Sequence, residues 1–297
     1  MNKLIIGTRG SKLALTQVEM VKAELLKFWP DLQLEVKIIK TSGDIFKDAN
    51  LAEIGGKELF TKEIDEALLN GEIDIAVHSL KDVPGIISPK QQIIATLLRA
   101  DARDALIGAK SFAELPQGAI VGSASPRRKA QILHNRPDLK VVNFRGNVPT
   151  RIEKVTDKEV DCTLLAMAGI DRLGLKVEKH ALPIDEMLPA AGQGIIGIAA
   201  RSDDKRAKEL LAPINHDLSF VAATAERAVL KTYGGTCYTP IAAYAEITGD
   251  NVTLKALIAS TEGEQIYKTS ASAPTTEAEK LGERIGAELL QHSKNFT

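Results

Sequence analysis

The sequence has few cysteines, few aromatic residues and almost no net charge, and each shortage excludes a class of protein. Two cysteines in 297 residues cannot build a disulfide framework. Seven Phe, four Tyr and one Trp leave little for base stacking, and a net charge of −1 gives no general attraction to phosphates, so we expect no nucleic-acid partner. The five histidines show no metal-ligand spacing, so we expect no metal site.

Long apolar runs are also missing. The longest charge-free stretches, residues 187–200 and 232–245, have 14 residues each and are interrupted by Gly and Pro. A membrane-spanning helix needs roughly 20 apolar residues. The first ten residues contain only a three-residue apolar run before Gly7, which is not typical of a secretory signal. We therefore expect no membrane association and a cytoplasmic location.

Strand-like and helix-like segments alternate through the first two-thirds of the chain. Short apolar runs predict strands at 4–6, 34–39, 73–77, 119–121, 141–144 and 163–166. Helical patterns lie between them at 11–28, at 61–70, from 126 and near 150. This alternation predicts α/β units with mostly parallel sheets. After about residue 216, a helix, three strand-like runs and a final helix predict a small α+β domain.

A strongly basic segment lies between residues 121 and 151, where seven Lys and Arg side chains accompany a single carboxylate. The pair Ser125-Pro126 is typical of a helix start and places Arg127 and Arg128 in the first turn. A cation costs about 0.3–1 kcal/mol there, because the helix dipole is already positive. A sequence that accepts this cost is expected to bind an anion at that position.

Other guanidiniums repeat this placement. Arg9 and Arg145 each follow a predicted strand, and Arg151 lies near the start of the next helix. Ligands of open α/β sheets lie beyond the carboxyl ends of the strands, so these side chains favour a ligand with several carboxylates or phosphates. The alternative interpretation, a solvated basic face, is the usual one for a charge run taken alone and stays open at this stage.

The segment HSLKDVP, His78–Pro84, follows another predicted strand and combines Ser79, Lys81 and Asp82. An ionised Asp82 could stabilise a cation on a substrate, since a charge pair at 4 Å is worth about 4 kcal/mol at an effective dielectric near 20. Two alternatives remain. Asp82 could bond backbone amides in an ordinary turn, or Lys81 could form a Schiff base, which a neighbouring acid disfavours.

The two cysteines have different surroundings. Cys162 lies in an apolar strand and is expected to be a buried core residue. Cys237 lies in a loop with two preceding glycines and a following proline, where a cysteine is either reactive or inert. The nearby pattern GQGIIG, Gly192–Gly197, matches the dinucleotide fingerprint, but a strand-like run follows it instead of a helix, which excludes that interpretation.

Taken together, these segments resemble the porphobilinogen deaminase family, also called the hydroxymethylbilane synthases. The resemblance runs in order from GTRGSKLAL at 7–15 through HSLKDVP, GSASPRRKAQ, NFRGNVPTRI and LPAAGQGIIGI to GGTCYTPIAAYAE at 234–246. It implies two doubly wound α/β domains resembling periplasmic binding proteins, plus a C-terminal α+β domain. The implied boundaries are 1–97 completed by 194–215 for the first domain, 98–193 for the second, and 216–297 for the third.

The resemblance also implies a monomeric transferase of tetrapyrrole (heme) biosynthesis. The family condenses four porphobilinogen molecules head to tail on a covalent dipyrromethane cofactor, releasing ammonia and then hydroxymethylbilane by hydrolysis. Cys237 matches the cysteine whose thioether holds the cofactor. Asp82 matches the catalytic aspartate, which binds pyrrole N–H groups, stabilises an azafulvenium-like cation and assists proton transfers. The residues that match the cofactor- and substrate-binding set are Arg9, Ser11, Lys57, Ser79, Lys81, Ser125, Arg127, Arg128, Arg145, Arg151, Arg172 and Gln193.

Three positions depart from the family pattern. Glu53 stands where many relatives have lysine, Ala102 replaces a proline, and Thr236 replaces the glycine before Cys237. If that last position requires a positive φ, threonine would strain the loop.

The competing hypothesis is a non-enzymic protein that closes around a small polyanion. Cys237 distinguishes the two, because a binding protein has no use for a covalently loaded cysteine.

Overall fold

The computed structural model describes residues 3–45, 61–236 and 238–296. The strands in these ranges are β1 Lys3–Thr8, β2 Gln33–Ile38, β3 Ile75–Ser79, β4 Gln91–Thr96, β5 Asp104–Ile107, β6 Ile120–Gly122, β7 Lys140–Val142, β8 Cys162–Ala166, β9 His180–Ala181, β10 Ile196–Arg201, β11 Ile241–Thr248, β12 Asn251–Ala259 and β13 Ile266–Pro274. The helices are α1 Lys12–Phe28, α2 Ser42–Ile45, α3 Lys62–Leu69, α4 Pro126–Asn135, α5 Val148–Thr156, α6 Met167–Arg172, α7 Lys205–Leu211, α8 Asp217–Tyr233 and α9 Ala278–Ser293.

The chain divides into two compact units. The first contains Met1–Ala100 and Ile195–Phe220, and the second contains Asp101–Gly194 and Val221–Thr297. The C-terminal segment groups with residues 101–194 in this division. The three-domain boundaries expected from the family resemblance therefore stay a prediction.

The first unit is built on a five-stranded sheet of order β2-β1-β3-β10-β4. β1 runs parallel to β2 and β3, whereas β10 runs antiparallel to both β3 and β4. The expectation of mostly parallel strands is therefore wrong here, because β10 arrives from a distant part of the sequence and enters the sheet in the opposite direction. Its five leading residues are buried, which explains why this run is apolar without alternation.

Helix α1 covers this sheet for reasons that are visible in the sequence. Ser11 is its N-cap and accepts a hydrogen bond from the backbone N–H of Ala14 at 3.2 Å. Val18, Val21 and Leu25 follow at helical spacing and are completely buried in the core of the first unit. The predicted helix is confirmed, and its start is fixed directly after the carboxyl end of β1.

The second unit contains a second five-stranded sheet, of order β7-β6-β8-β5-β9. β6 pairs in parallel with β7 and β8, while β5 pairs antiparallel with β8 and β9. As in the first sheet, half of the pairings are antiparallel. β6, β7 and β8 confirm strands predicted from the sequence, whereas no strand was predicted at β5, because the run DALI is short and begins with an acid.

The C-terminal segment confirms the predicted α+β arrangement. β11, β12 and β13 form an antiparallel meander, and α8 and α9 contribute apolar side chains to one core with it. The turn between β12 and β13 packs against α4, where the carbonyl oxygen of Gly263 lies 3.0 Å from Nδ1 of His134. Gly263 has a φ of +79°, and a Cβ atom there would lie 2.2 Å from the carbonyl oxygen of Ala130. Only glycine fits this contact.

We predict that Gly263→Ala destabilises the protein more than Gly249→Ala. Gly249, in the neighbouring turn between β11 and β12, also has a positive φ, but a Cβ atom added there would meet no other atom within 4 Å. Alanine at 249 should therefore cost only the left-handed backbone penalty, about 1–2 kcal/mol. Alanine at 263 should cost a further ~1–3 kcal/mol because α4 must shift. Urea unfolding measures both, and equal losses would show that the turn does not pack tightly against α4.

Candidate functional site

The carboxyl ends of β1 and β3 bring four of the predicted residues together in the first unit. Arg9 and Ser11 follow β1, Ser79 ends β3, and Asp82 ends the single helical turn after it. These side chains line one small cavity of about 50 Å³, together with Gln17 and neighbouring residues. Nε2 of Gln17 donates to Oγ of Ser79 at 2.7 Å. The cavity is large enough for an ordered water or a small polar group.

Asp82 is held at an exposed position by buried neighbours. Leu80 is 1% exposed and Val83 is 5% exposed, and the backbone N–H of Val83 donates to the carbonyl oxygen of Leu80 at 3.1 Å. The Asp82 side chain between them is exposed. Among the described residues, no backbone amide donates to its carboxylate, which argues against the alternative that Asp82 merely completes a turn. Lys81 is partly buried and does not line the cavity.

In the second unit, the start of α4 places two adjacent arginines inside the protein. Ser125 is the N-cap and its hydroxyl accepts from the backbone N–H of Arg128 at 3.4 Å, while Pro126 occupies the first turn. This confirms the predicted helix start. Arg127 and Arg128 are only 5% and 6% exposed. The alternative of a solvated basic face is therefore wrong for these two side chains.

Both guanidiniums bind the same carboxylate. Nη2 of Arg127 donates to Oδ2 of Asp104 at 2.8 Å, and Nη2 of Arg128 donates to Oδ1 at 2.7 Å. Nε2 of Gln193 donates to the same Oδ1 at 2.8 Å and to the carbonyl oxygen of Ala102 at 2.7 Å. We call Asp104, Arg127, Arg128 and Gln193 the buried ionic cluster. It joins the start of β5, the start of α4 and the turn before β10.

Burial and charge act in opposite directions on this cluster. Burial works to raise the pKa of Asp104, but attraction to Arg127 and Arg128, with their hydrogen bonds, outweighs it and holds that pKa far below its usual range. Burial lowers the pKa of Arg127, and repulsion from Arg128 adds to this, against the attraction of Asp104. One carboxylate faces two guanidiniums, so the cluster retains one uncompensated positive charge.

Sequence reasoning did not identify Asp104. It singled out the cations and expected an external anion to offset them, whereas Asp104 offsets one of the two charges from inside the protein. Asp104 lies 23 and 24 residues before its partners, so no local spacing connects them. The only signal was an acid at the start of an apolar run that forms a buried strand.

Three further arginines of the predicted set lie in the second unit. Burial lowers the pKa of Arg151 to about 10, with repulsion from Arg128 and Arg145 as further causes. Burial alone lowers the pKa of Arg172 to about 10. Nε of Arg151 donates to the carbonyl oxygen of Gly146, and Nη2 of Arg172 donates to that of Gly194. Arg151 is thus close enough to Arg128 and Arg145 to be repelled by both.

Several of these guanidiniums retain a buried donor that the protein does not use. Within the described ranges, Nε is buried without a hydrogen-bond partner in Arg127, Arg128, Arg145 and Arg172. A buried unpaired donor on a charged group costs about 1–3 kcal/mol or more. A set of such donors next to mutually repelling charges is what a binding site for carboxylates or phosphates provides.

The structure does not describe every predicted site residue. Lys57 and Cys237 lie outside the described residues, as does Glu53. Cys162 is completely buried in the core as predicted, and burial, with repulsion from Asp161, raises the pKa of its thiol to about 12. Among the described residues, no group of three or more His, Cys, Asp or Glu side chains could hold a metal ion.

Thr236, before Cys237, forms part of a hydrogen-bonded turn. Its backbone N–H donates to Oγ1 of Thr239 at 3.0 Å, and its own hydroxyl accepts from the backbone N–H of Tyr238 at 3.3 Å. Lys158 is the one non-glycine residue with positive φ in the part of the chain that the structure describes. Thr236 therefore does not occupy the left-handed region, and the strain considered from the sequence does not arise.

Two family models match the chain in succession. The model described as porphobilinogen deaminase, dipyromethane cofactor binding domain, matches residues 4–209. The model described as porphobilinogen deaminase, C-terminal domain, matches residues 220–291. The matched ranges include the residues placed above in both units.

Individual proteins agree with these matches. The chain is 48% identical over 292 residues to the porphobilinogen deaminase of Geobacter sulfurreducens, covering 98% of this chain and 92% of the relative. It is 50% identical over 277 residues to the chloroplastic porphobilinogen deaminase of Oryza sativa subsp. japonica, covering 91% and 77%. Similar solved structures include the methionine binding protein MetQ, with a TM-score of 0.47, 14% identity, and coverage of 75% of this chain and 94% of that chain. The chain belongs to the porphobilinogen deaminase family, whose members are transferases of tetrapyrrole biosynthesis.

Proposed function

We propose that this chain condenses porphobilinogen head to tail using the two groups of residues described above. The observation that carries the proposal is the set of buried guanidinium Nε atoms without partners on Arg127, Arg128, Arg145 and Arg172. Porphobilinogen bears an acetate and a propionate, so every added unit brings two more carboxylates. Arginine binds carboxylates through parallel N–H donors, which suits this repeated charge.

The uncompensated charge of the buried ionic cluster supports the same assignment. Arg127 and Arg128 share one carboxylate, and Arg151 is repelled by Arg128 and Arg145. A bound carboxylate would relieve this repulsion and accept from donors that the protein leaves open. Ser125, at the same helix start, lies next to these donors along the chain. The binding roles of Arg9, Ser11, Ser79, Lys81 and Gln193 are part of the same proposal.

Asp82 is proposed as the catalytic residue. Each addition joins a pyrrole ring carbon to the aminomethyl carbon of another porphobilinogen unit, releases ammonia from that aminomethyl carbon, and releases one proton from the ring carbon that forms the new bond. An exposed carboxylate on a turn fixed by two buried neighbours can accept pyrrole N–H bonds and stabilise positive charge on the substrate. It can also receive the released proton. A Schiff base on Lys81, the alternative considered from the sequence, has no place in this condensation, because the bond that each addition forms joins two carbon atoms; Lys81 keeps only its proposed binding role.

The residues of the second unit fit the dipyrromethane cofactor. Its two pyrroles carry carboxylates, and the unused guanidinium donors are of the chemistry that binds them. When bound, the cofactor supplies the pyrrole carbon to which the first substrate unit is joined. We propose that Cys237 holds it through a thioether, with Thr236 and Thr239 shaping the backbone on both sides. Lys57 completes the proposed binding set.

None of the helices in the described ranges combines the length and the apolar character that crossing a membrane requires. We propose a cytoplasmic monomer that binds porphobilinogen and no nucleic acid, consistent with the net charge of −1. The competing hypothesis of a non-enzymic binding protein is not supported, because the family is one of enzymes.

Mass spectrometry of the denatured protein tests the thioether. We expect an excess mass equal to two porphobilinogen units without their ammonia, either as purified or after incubation with porphobilinogen. Peptide mapping should place it on Cys237. The Cys162 peptide is the internal control, because a buried thiol with a pKa raised to about 12 should stay unmodified. A Cys237→Ser variant should gain no mass, and a parent chain that never gains it would contradict the assignment.

We predict that Asp82→Ala lowers the turnover rate by about 10²–10⁴-fold while the protein stays folded. Because the side chain is exposed, its removal should change the free energy of unfolding by less than about 0.5 kcal/mol. Asp203→Ala, at another exposed aspartate of the first unit, is the matched control and should retain parental turnover. Steady-state kinetics and urea unfolding provide the two measurements. Substantial turnover in the Asp82 variant would remove this residue from the catalytic role.

Removing one guanidinium should weaken substrate binding. Arg145→Gln eliminates a charged donor, and a hydrogen bond to a charged group is worth about 1.5–3 kcal/mol. We therefore expect the porphobilinogen concentration for half-maximal rate to rise by about tenfold or more. Lys140→Gln removes an exposed cation from the same basic segment and should leave this concentration unchanged. If both variants respond equally, the effect reflects general charge and not a binding contact.

A further inference from the structure

Asp104 is the one member of the buried ionic cluster with no proposed role in binding or catalysis. It is completely buried, and its two carboxylate oxygens accept from Arg127, Arg128 and Gln193 at 2.7–2.8 Å. The residue belongs to β5, whereas both arginines belong to the start of α4. Asp104 therefore connects an interior strand of the second sheet to the helix start that carries the cations.

Each guanidinium is fixed at two points. Besides its bond to Asp104, Arg127 donates from Nη1 to the carbonyl oxygen of Leu188 at 2.6 Å. Arg128 donates from Nη1 to the carbonyl oxygen of Leu164 at 2.8 Å. Because a guanidinium is planar and rigid, two such bonds from its two terminal nitrogens determine its orientation. The remaining donor, Nε, is then held in one direction, and in both residues it is the atom left without a partner.

The charge count separates this arrangement from an ordinary stabilising ion pair. A buried pair needs one cation for one anion, and a second buried guanidinium adds desolvation cost and repulsion. The second cation is present here, and Gln193, a neutral donor, occupies the remaining acceptor capacity of Oδ1 where a third cation could have bound. The cluster thus keeps both arginines oriented while limiting the excess charge to one.

We propose that Asp104 is a positioning residue, which orients Arg127 and Arg128 so that their Nε donors and one positive charge are available to the carboxylates of a bound pyrrole. This inference rests on the proposed function, because it takes the anion to be a pyrrole carboxylate. Gln193 acts with Asp104 by holding the shared Oδ1 and by joining it to the carbonyl oxygen of Ala102. Asp104 does not itself contact the substrate.

The first test measures orientation without any pyrrole. In Asp104→Asn the side chain keeps its size, loses its charge and exchanges one acceptor oxygen for an NH₂ donor. The repulsion between the two guanidiniums is then no longer offset, and at least one of them loses its acceptor. Phenylglyoxal, a reagent selective for arginine, should then modify the peptide containing Arg127 and Arg128 about tenfold faster than in the parent protein. Asp101→Asn is the control. Asp101 pairs only with Arg103 among the ion pairs of the described residues, and its loss should leave this rate unchanged.

The second test measures whether the orientation serves binding. The cofactor-free protein is incubated with porphobilinogen, and its gain in mass is followed. In Asp104→Asn we expect the half-saturating porphobilinogen concentration to rise about tenfold, with a smaller change in the limiting rate. An unchanged phenylglyoxal rate overturns the positioning role. If the arginines are modified faster but the half-saturating porphobilinogen concentration equals that of the parent protein, the orientation of the arginines does not serve binding, and that part of the proposal is overturned.

A second pair of variants is used if Asp104→Asn fails to fold, which urea unfolding would reveal as the absence of a cooperative transition. Asp104→Asn combined with Arg127→Gln leaves a single buried cation, and it is compared with Arg127→Gln alone. The double variant should show about tenfold faster modification of Arg128 and a raised half-saturating concentration. Equality of the two overturns the proposal. A parent protein that fails to gain mass overturns the proposed function instead, and the phenylglyoxal comparison then decides the role of Asp104.

Discussion

The second unit depends on the burial of two adjacent guanidiniums against one carboxylate. Removing three charges from water carries a large desolvation cost, which only close ion pairs and hydrogen bonds can offset. Asp104 forms ion pairs and hydrogen bonds with both Arg127 and Arg128. These interactions keep the pKa of Asp104 low although burial works to raise it. The same arrangement leaves one positive charge in excess. Stability and anion binding are thus opposing requirements, and the cluster meets both by compensating one cation and leaving the other for a ligand.

Helix α4 is supported from two directions. At its first turn the buried ionic cluster ties it to β5, and along its length the turn between β12 and β13 packs against it through Gly263. The contact at Gly263 is close enough to exclude any side chain, so the C-terminal meander fixes the helix that presents the arginines. Glu226 on α8 forms a second connection, between the C-terminal segment and the turn that contains Gln193. Its buried carboxylate accepts from the backbone N–H of Gly192 in that turn and from the backbone N–H of Ala245 in β11. The small C-terminal segment therefore supports the binding residues structurally.

The sequence predicted those parts of the fold that depend on interactions within a single helix, strand or turn. The start of α1 at Ser11, the start of α4 at Ser125 and the three strands after residue 241 were all predicted, because caps, periodicity and turns act over a few residues. The direction of pairing could not be predicted in the same way. β10 joins β3 and β4 from more than 90 residues away, and β5 is too short to show a pattern of its own. Long-range pairing leaves no local trace.

The candidate site divides along the same line. The sequence by itself determined which residue types are available, namely an aspartate after one strand and a series of arginines after others, and the family resemblance assigned them to one chemistry. Only the tertiary structure decided which of these cations are buried, which repel one another and which retain an unused donor. It also introduced Asp104, which no spacing connected to Arg127 or Arg128. The physical reason is that burial and Coulomb interactions depend on distance in space, whereas a sequence records only distance along the chain.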